Sequence, residues 1–220
     1  MRTMRLLAAV SIAAAIPIAA ACGSPQARER DASMEAAASS DAAWSLRQDM
    51  RKLWTDHVVW TRNYIIAALG NQPDAESAAN RLMKNQEDLG DAIRKYYGPD
   101  AGRQLTTLLK EHISIAVEIV KSAKSGDKNG QQQADDRWKH NATAIADFLS
   151  KANPNWPRAT LVDMMDKHLA TTADELAARV KQDWSADIEA FDKVYDHILN
   201  MSDALAEGIV KQFPEQFAGK

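Results

Sequence analysis

One cysteine in 220 residues, Cys22, removes several classes of function at once. An internal disulfide cannot form, a haem cannot be attached through paired thiols, and no Cys-rich metal site exists. Glycine and proline are scarce, nine and seven residues, and most of them mark the ends of apolar-periodic segments. No Gly-x-Gly-x-x-Gly or P-loop pattern offers a phosphate cradle, and no Gly-x-Ser-x-Gly elbow offers a nucleophile. Strict apolar–polar alternation is also missing, so strands are not expected. Basic residues are slightly outnumbered, 27 against 30 acids, and this balance gives no support to nucleic-acid binding, which needs a basic face.

The one long apolar run lies at the N-terminus. Arg2 and Arg5 precede Leu6 to Ala21, which ends in small residues. A positive start, an apolar stretch too short to span a bilayer and a small-residue end read as an export signal over residues 1–21. Ala19-Ala20-Ala21-Cys22 resembles a lipobox, after which Cys22 carries the lipid; the same alanines also satisfy ordinary A-x-A cleavage. The position of the only cysteine favours lipidation. Removing residues 1–21 moves the formal charge from −3 to −5. Residues 22–43, rich in Ala, Ser, Asp and Gln without a hydrophobic period, read as a flexible tether. Residues 44–220 are long enough for one domain with its own core. The expected place is therefore a membrane facing the periplasm or cell exterior, with the lipid anchor as the membrane partner.

Six helices are expected, at about 42–69, 73–97, 100–125, 129–151, 160–180 and 185–213. Pro73-Asp74 opens the second, Gly98-Pro99 separates the second from the third, and Gly126 closes the third. Thr160 with Asp163 resembles a capping box for the fifth, and Ser185 is the expected cap of the sixth. Short connections imply an all-α up-down bundle, four-helix-like or ferritin-like with an extra hairpin. The loop Asn153-Pro154-Asn155-Trp156-Pro157 reads as a rigid turn with Trp156 as its plug.

All five histidines fall near the middle of their own helices: His57, His112, His140, His168 and His197. The helix without one carries Asn85-Gln86 at its centre. Antiparallel helices of similar length bring their midpoints to one level, so these side chains can share one layer. His57, His112, His168 and His197 lie in phase with apolar stripes, whereas His140 has polar flanks at Asp136 and Thr143. Inward imidazoles at one level suit a transition metal such as zinc or copper, and Met165 and Met201 nearby lean towards copper. Asp56, Glu111, Asp196, Asn85 and Gln86 are the expected supporting groups. The di-iron pattern is absent, because the positions three before each histidine hold Trp54, Leu109, Arg137, Met165 and Val194 instead of Glu. The function expected is that of a binding protein for a metal or small ligand. The alternatives are a structural or interaction module whose histidines only pack, and a metal-dependent hydrolase.

Several segments resemble an uncharacterised family of small secreted bacterial all-helical proteins: Leu53 to Arg62 (LWTDHVVWTR), Lys84 to Gly90 (KNQEDLG), Tyr96-Tyr97-Gly98, Leu109 to His112, Asn153 to Trp156 and Gly208 to Pro214. The resemblance covers nearly all of the domain and supports its limits. Members are sometimes labelled acetylglutamate kinase or glycosyltransferase. This chain has neither the phosphate loop nor the alternating β/α pattern of such enzymes, and the resemblance contributes no catalytic residues.

Overall fold

The computed structural model describes residues 25–38 and 40–218, so the expected export signal and Cys22 lie outside the described residues. Six helices follow one another, with no strand among the described residues: α1 (Pro25–Ala38), α2 (Asp41–Leu69), α3 (Ala75–Ser125), α4 (Lys128–Ala152), α5 (Arg158–Val180) and α6 (Trp184–Gln212). The architecture is an all-α up-down bundle.

The longest helix, α3, is a hairpin folded on itself. Gly98 has φ 85° and ψ 171°, a region open to glycine, and Pro99 starts the return limb with its φ already set for a helix. Limb 75–97 and limb 99–125 therefore run antiparallel, tied by Lys110 Nζ donating to Glu87 Oε1 at 2.6 Å. With its limbs counted separately, α3 supplies the second and third expected helices. Packing closes into a ring, α2 on α3, α3 on α4, α4 on α5, α5 on α6 and α6 on α2.

Local chemistry sets the boundaries. Ser40 caps α2 by accepting from Ala43 N at 3.1 Å, and Asp127 caps α4 through Gly130 N at 2.9 Å. Gly126 takes the left-handed conformation, φ 73°, that ends α3. Two expected caps are corrected. Asp183, not Ser185, caps α6 by accepting from Ala186 N, and α5 starts at Arg158 after Pro157, so Thr160 lies within its first turn and makes no cap bond. Proline at the boundary makes the hydroxyl cap unnecessary. The segment expected as a tether is helical over Pro25–Ala38, where α1 packs on α6 and on the 3-10 turn Pro214–Gln216. Its side chains are mostly exposed, and Ala37 is fully buried.

One end of the bundle is closed by a polar latch. Tyr97 Oη donates to Gln212 Oε1, Asn153 Nδ2 donates to Tyr97 Oη, and Gln212 Nε2 donates to the Ala152 carbonyl, at 2.8, 2.8 and 3.1 Å. Trp156 is 4% exposed and rests directly on Gly208, where any Cβ would overlap the indole.

The α3 hairpin depends on close backbone approach. A Cβ at Gly90 would overlap Thr106 Oγ1 and stand 2.8 Å from the Gly102 carbonyl oxygen. Glycine to alanine inside a helix ordinarily stabilises, by about 1 kcal/mol. Gly90→Ala is expected to do the reverse, lowering stability by about 1–3 kcal/mol in denaturant unfolding, because the hairpin limbs must separate.

Candidate functional site

Four of the five histidines meet at mid-bundle. His57 from α2, His112 from α3, His168 from α5 and His197 from α6 are all buried, between 2% and 6% exposed. His168 is the centre, with ring centroids 5.7 Å from His57, 6.0 Å from His112 and 6.5 Å from His197. His140 is exposed on α4 and donates from Nδ1 to its own helix at Asp136 O, 2.7 Å away. Its polar flanks are the reason.

The hydrogen bonds fix two tautomers. Asn141 spends its Nδ2 on the Leu108 carbonyl at 3.1 Å and Glu111 Oε2 at 3.2 Å, so its Oδ1 accepts from His112 Nδ1 at 2.9 Å. His112 Nε2 is then a bare lone pair. His197 Nε2 donates to the Met164 carbonyl at 2.8 Å, leaving Nδ1 as its lone pair. His57 Nδ1, His112 Nε2 and His168 Nδ1 are buried and have no hydrogen-bond partner. All three rings border one apolar cavity of about 20 Å³, walled by Trp54, Leu109, Met165 and Met201 among others.

Burial also sets the charge state. Desolvation pushes His57 down to about 4, against the opposing hydrogen-bonding pull of the Gln86 and Asn85 amides. His112 falls to about 3, first by desolvation and then by repulsion from the charge that neighbouring His57 takes on in acid. His168 drops well below the ordinary imidazole value, by desolvation and then by repulsion from the three surrounding rings. Burial lowers His197 as well. At neutral pH the layer is uncharged.

The expected supporting groups divide. Asn85 and Gln86 are fully buried beside His57, with Asn85 Nδ2 donating to the Leu53 carbonyl and Gln86 Nε2 to the Leu82 carbonyl, at 2.9 and 2.8 Å. Glu111 reaches the layer at one remove, through Asn141. Asp56 pairs with Lys52 and Arg81 at 2.8 and 3.2 Å, and Asp196 is exposed with no hydrogen bond or ion pair. Each lies about 100° around its helix from the neighbouring histidine, which turns it away from the core.

The rings do not aim at one point. His168 lies nearly parallel to His112 and His197, at 24° and 22°. Among the described residues, no group of three or more His, Cys, Asp or Glu is arranged to hold a metal ion.

Two features escaped the sequence. Asn141 sits one turn from Trp138 and Ile145, in phase with the buried face of α4, and that phase was the available signal. The other is an ion cluster. Arg62 Nη1 donates to Glu175 Oε1 at 2.7 Å, both Arg62 nitrogens donate to Asp187 at 3.0 Å, and Arg179 Nη1 adds a bond to Asp187 Oδ2 at 2.9 Å. Both carboxylates are 1% exposed. Desolvation raises Glu175 to about 7, although Arg62 pulls the other way. Nothing in the sequence distinguishes these charges from a solvated face, because their partners lie on other helices.

Stability should fall in acid, with a measurable offset. Folded imidazole values of about 4 and 3, against an unfolded value of 6.5, mean that the unfolded chain takes up protons first as pH falls below 6.5. The stabilising contribution of each neutral ring, present above 6.5, is then lost. Between pH 7 and 5, His57 and His112 together cost on the order of 3 kcal/mol, and His168 adds to the loss. Glu175 acts oppositely: its raised value gives a contribution present below 4.5 and lost as pH rises through about 7. Over the same interval that group offsets about 2 kcal/mol. Urea unfolding at pH 7 and pH 5 should therefore show acid destabilisation, steeper in Glu175→Gln.

No family model, curated protein or solved structure matches the chain.

Proposed function

We propose that this protein is an exported, lipid-anchored binding protein for a soft transition-metal ion held by the imidazole layer. The observation that carries this reading is the set of three unpartnered ring nitrogens, on His57, His112 and His168, around one buried cavity. A buried polar atom without a partner calls for an occupant, and a lone pair on a neutral imidazole is a metal ligand. The cavity is large enough for a single ion or water. His112 and His197 also spend their second nitrogens on an amide and a backbone carbonyl, the support that ligating histidines use.

Copper(I) fits this environment better than zinc. No carboxylate borders the cavity, and the cost of burying an ion grows with the square of its charge, so a doubly charged ion costs about four times as much. Imidazole with the thioethers of Met165 and Met201 is a soft donor set. Imidazoles on one tetrahedral ion hold their ring centres about 5 Å apart, somewhat closer than the 5.7 and 6.0 Å seen around His168. Binding requires the rings to rotate and His57 and His112 to close on His168. The hydrolytic alternative needs room for a substrate at the layer, and about 20 Å³ gives it little support.

The structural reading keeps one specific observation in its favour, the near-parallel stacking of His168 with His112 and His197. The two readings separate on titration of tag-free protein with copper(I) in a reducing buffer against a competing chelator. Metal binding predicts one tight equivalent, a rise in thermal midpoint, and a loss of affinity of about a hundredfold in folded His168→Gln. Absence of stoichiometric copper or zinc, with unchanged midpoints in both, overturns it and leaves the packed polar layer.

Export and anchoring rest on Arg2, Arg5, the apolar run and Cys22. Cys22→Ser is expected to move the protein from the membrane to the soluble fraction; unchanged membrane association would contradict the lipid anchor.

A further inference from the structure

At the end of the bundle opposite the latch, α2, the second limb of α3, α4 and α5 part around a cleft of about 610 Å³, well within the size range of small-molecule sites. Ile113, Val117, Val120 and Leu176 form its walls, and buried Trp138 forms part of its lining deeper in the bundle. The space exists because alanines occupy wall positions that longer side chains would fill: Ala116, Ala123, Ala173 and Ala177. Lys128, at the first turn of α4, and Trp138 both line the cleft, so it extends over roughly 15 Å of helix.

The mouth differs from the shaft. Lys128 and Lys181 line it, both exposed and neither engaged in an ion pair. The one carboxylate on the lining, Asp135, is already neutralised by Lys139 at 2.6 Å. A mainly apolar cleft under two lysines without ion pairs is complementary to a molecule with an apolar chain and one anionic head. A neutral chain leaves the lysines without a counterion, and a cationic head is repelled by them.

We propose that this cleft binds a fatty-acid-like amphiphile, with its alkyl chain against Ile113, Val117 and Leu176 and its carboxylate at Lys128 and Lys181. The site lies beyond the histidine layer, with Trp138, whose ring centroid is 5.0 Å from that of His112, between the two, and the assignment does not rest on what that layer holds. Burial of the chain supplies most of the affinity, and the exposed lysines select the head group with a salt-sensitive contribution.

Calorimetric titration of the full-length protein with laurate, below its micelle concentration, tests the assignment. One molecule of laurate is expected to bind, with dodecanol and dodecyltrimethylammonium each weaker by about tenfold or more. Lys128→Ala/Lys181→Ala should weaken laurate about five- to tenfold and leave dodecanol unchanged, while Lys128→Arg/Lys181→Arg retains laurate binding. Ala177→Trp, which fills the cleft, should abolish binding with helical content intact. Because both lysines are exposed, the double variant decides the matter even if Ala177→Trp does not fold. Dodecyl phosphate distinguishes the two anionic sources, and preference for it over laurate would overturn the carboxylate assignment. No laurate binding, or dodecanol binding equally well, overturns the proposal as a whole.

Discussion

Burying several imidazoles at mid-bundle without a matching anion is the constraint on which the rest of this structure depends. Each ring removed from water must give up its charge, and His57 and His112 do so by falling to about 4 and 3. A neutral ring has one donor and one acceptor, so each needs a partner for the first and leaves a lone pair from the second. Asn141 and the Met164 carbonyl take the donors of His112 and His197. His112 Nε2 keeps its lone pair at a small buried cavity that the unpartnered His57 Nδ1 and His168 Nδ1 also border, and that combination makes the layer chemically more than a seam of the core.

The bundle then divides along its axis. Below the layer, the hydrogen-bonded Tyr97–Asn153–Gln212 latch and the tight contact of Trp156 on Gly208 close one end. Above it, the helices carry alanines instead of long side chains and leave the amphiphile-sized cleft. Glu175 and Asp187, buried with Arg62 and Arg179, tie α2, α5 and α6 together at that same end. Breaking one partner of such a cluster strands a buried charge, whereas replacing it whole by apolar groups is often nearly neutral. The cluster's contribution is therefore read best as fixing how these helices sit.

Much of the fold was legible because helix ends carry local signals. Gly126, Gly98-Pro99 and the Asn153–Pro157 turn mark boundaries that the structure keeps. The inward phase of His57, His112, His168 and His197 was readable from their apolar neighbours at three and four residues, and so was the departure of His140. Long-range chemistry was not readable. Whether Asp56 turned to an imidazole or to Arg81 depends on the neighbouring helix's rotation, which no single stretch encodes. The burial of Glu175 had the same origin. The helical course of Pro25–Ala38 was missed because that segment lacks an apolar stripe and is held by only a few contacts near Ala37.

The central claim is that the layer consists of uncharged imidazoles with free lone pairs. Long-range nitrogen–proton correlation spectra of the histidine side chains read this directly. The account predicts that His57, His112 and His168 stay neutral from pH 7 to pH 5, with His112 protonated at Nδ1 and its Nε2 in the unprotonated shift range. Titration of the three buried rings near pH 6.5, or a His112 proton on Nε2, would contradict it.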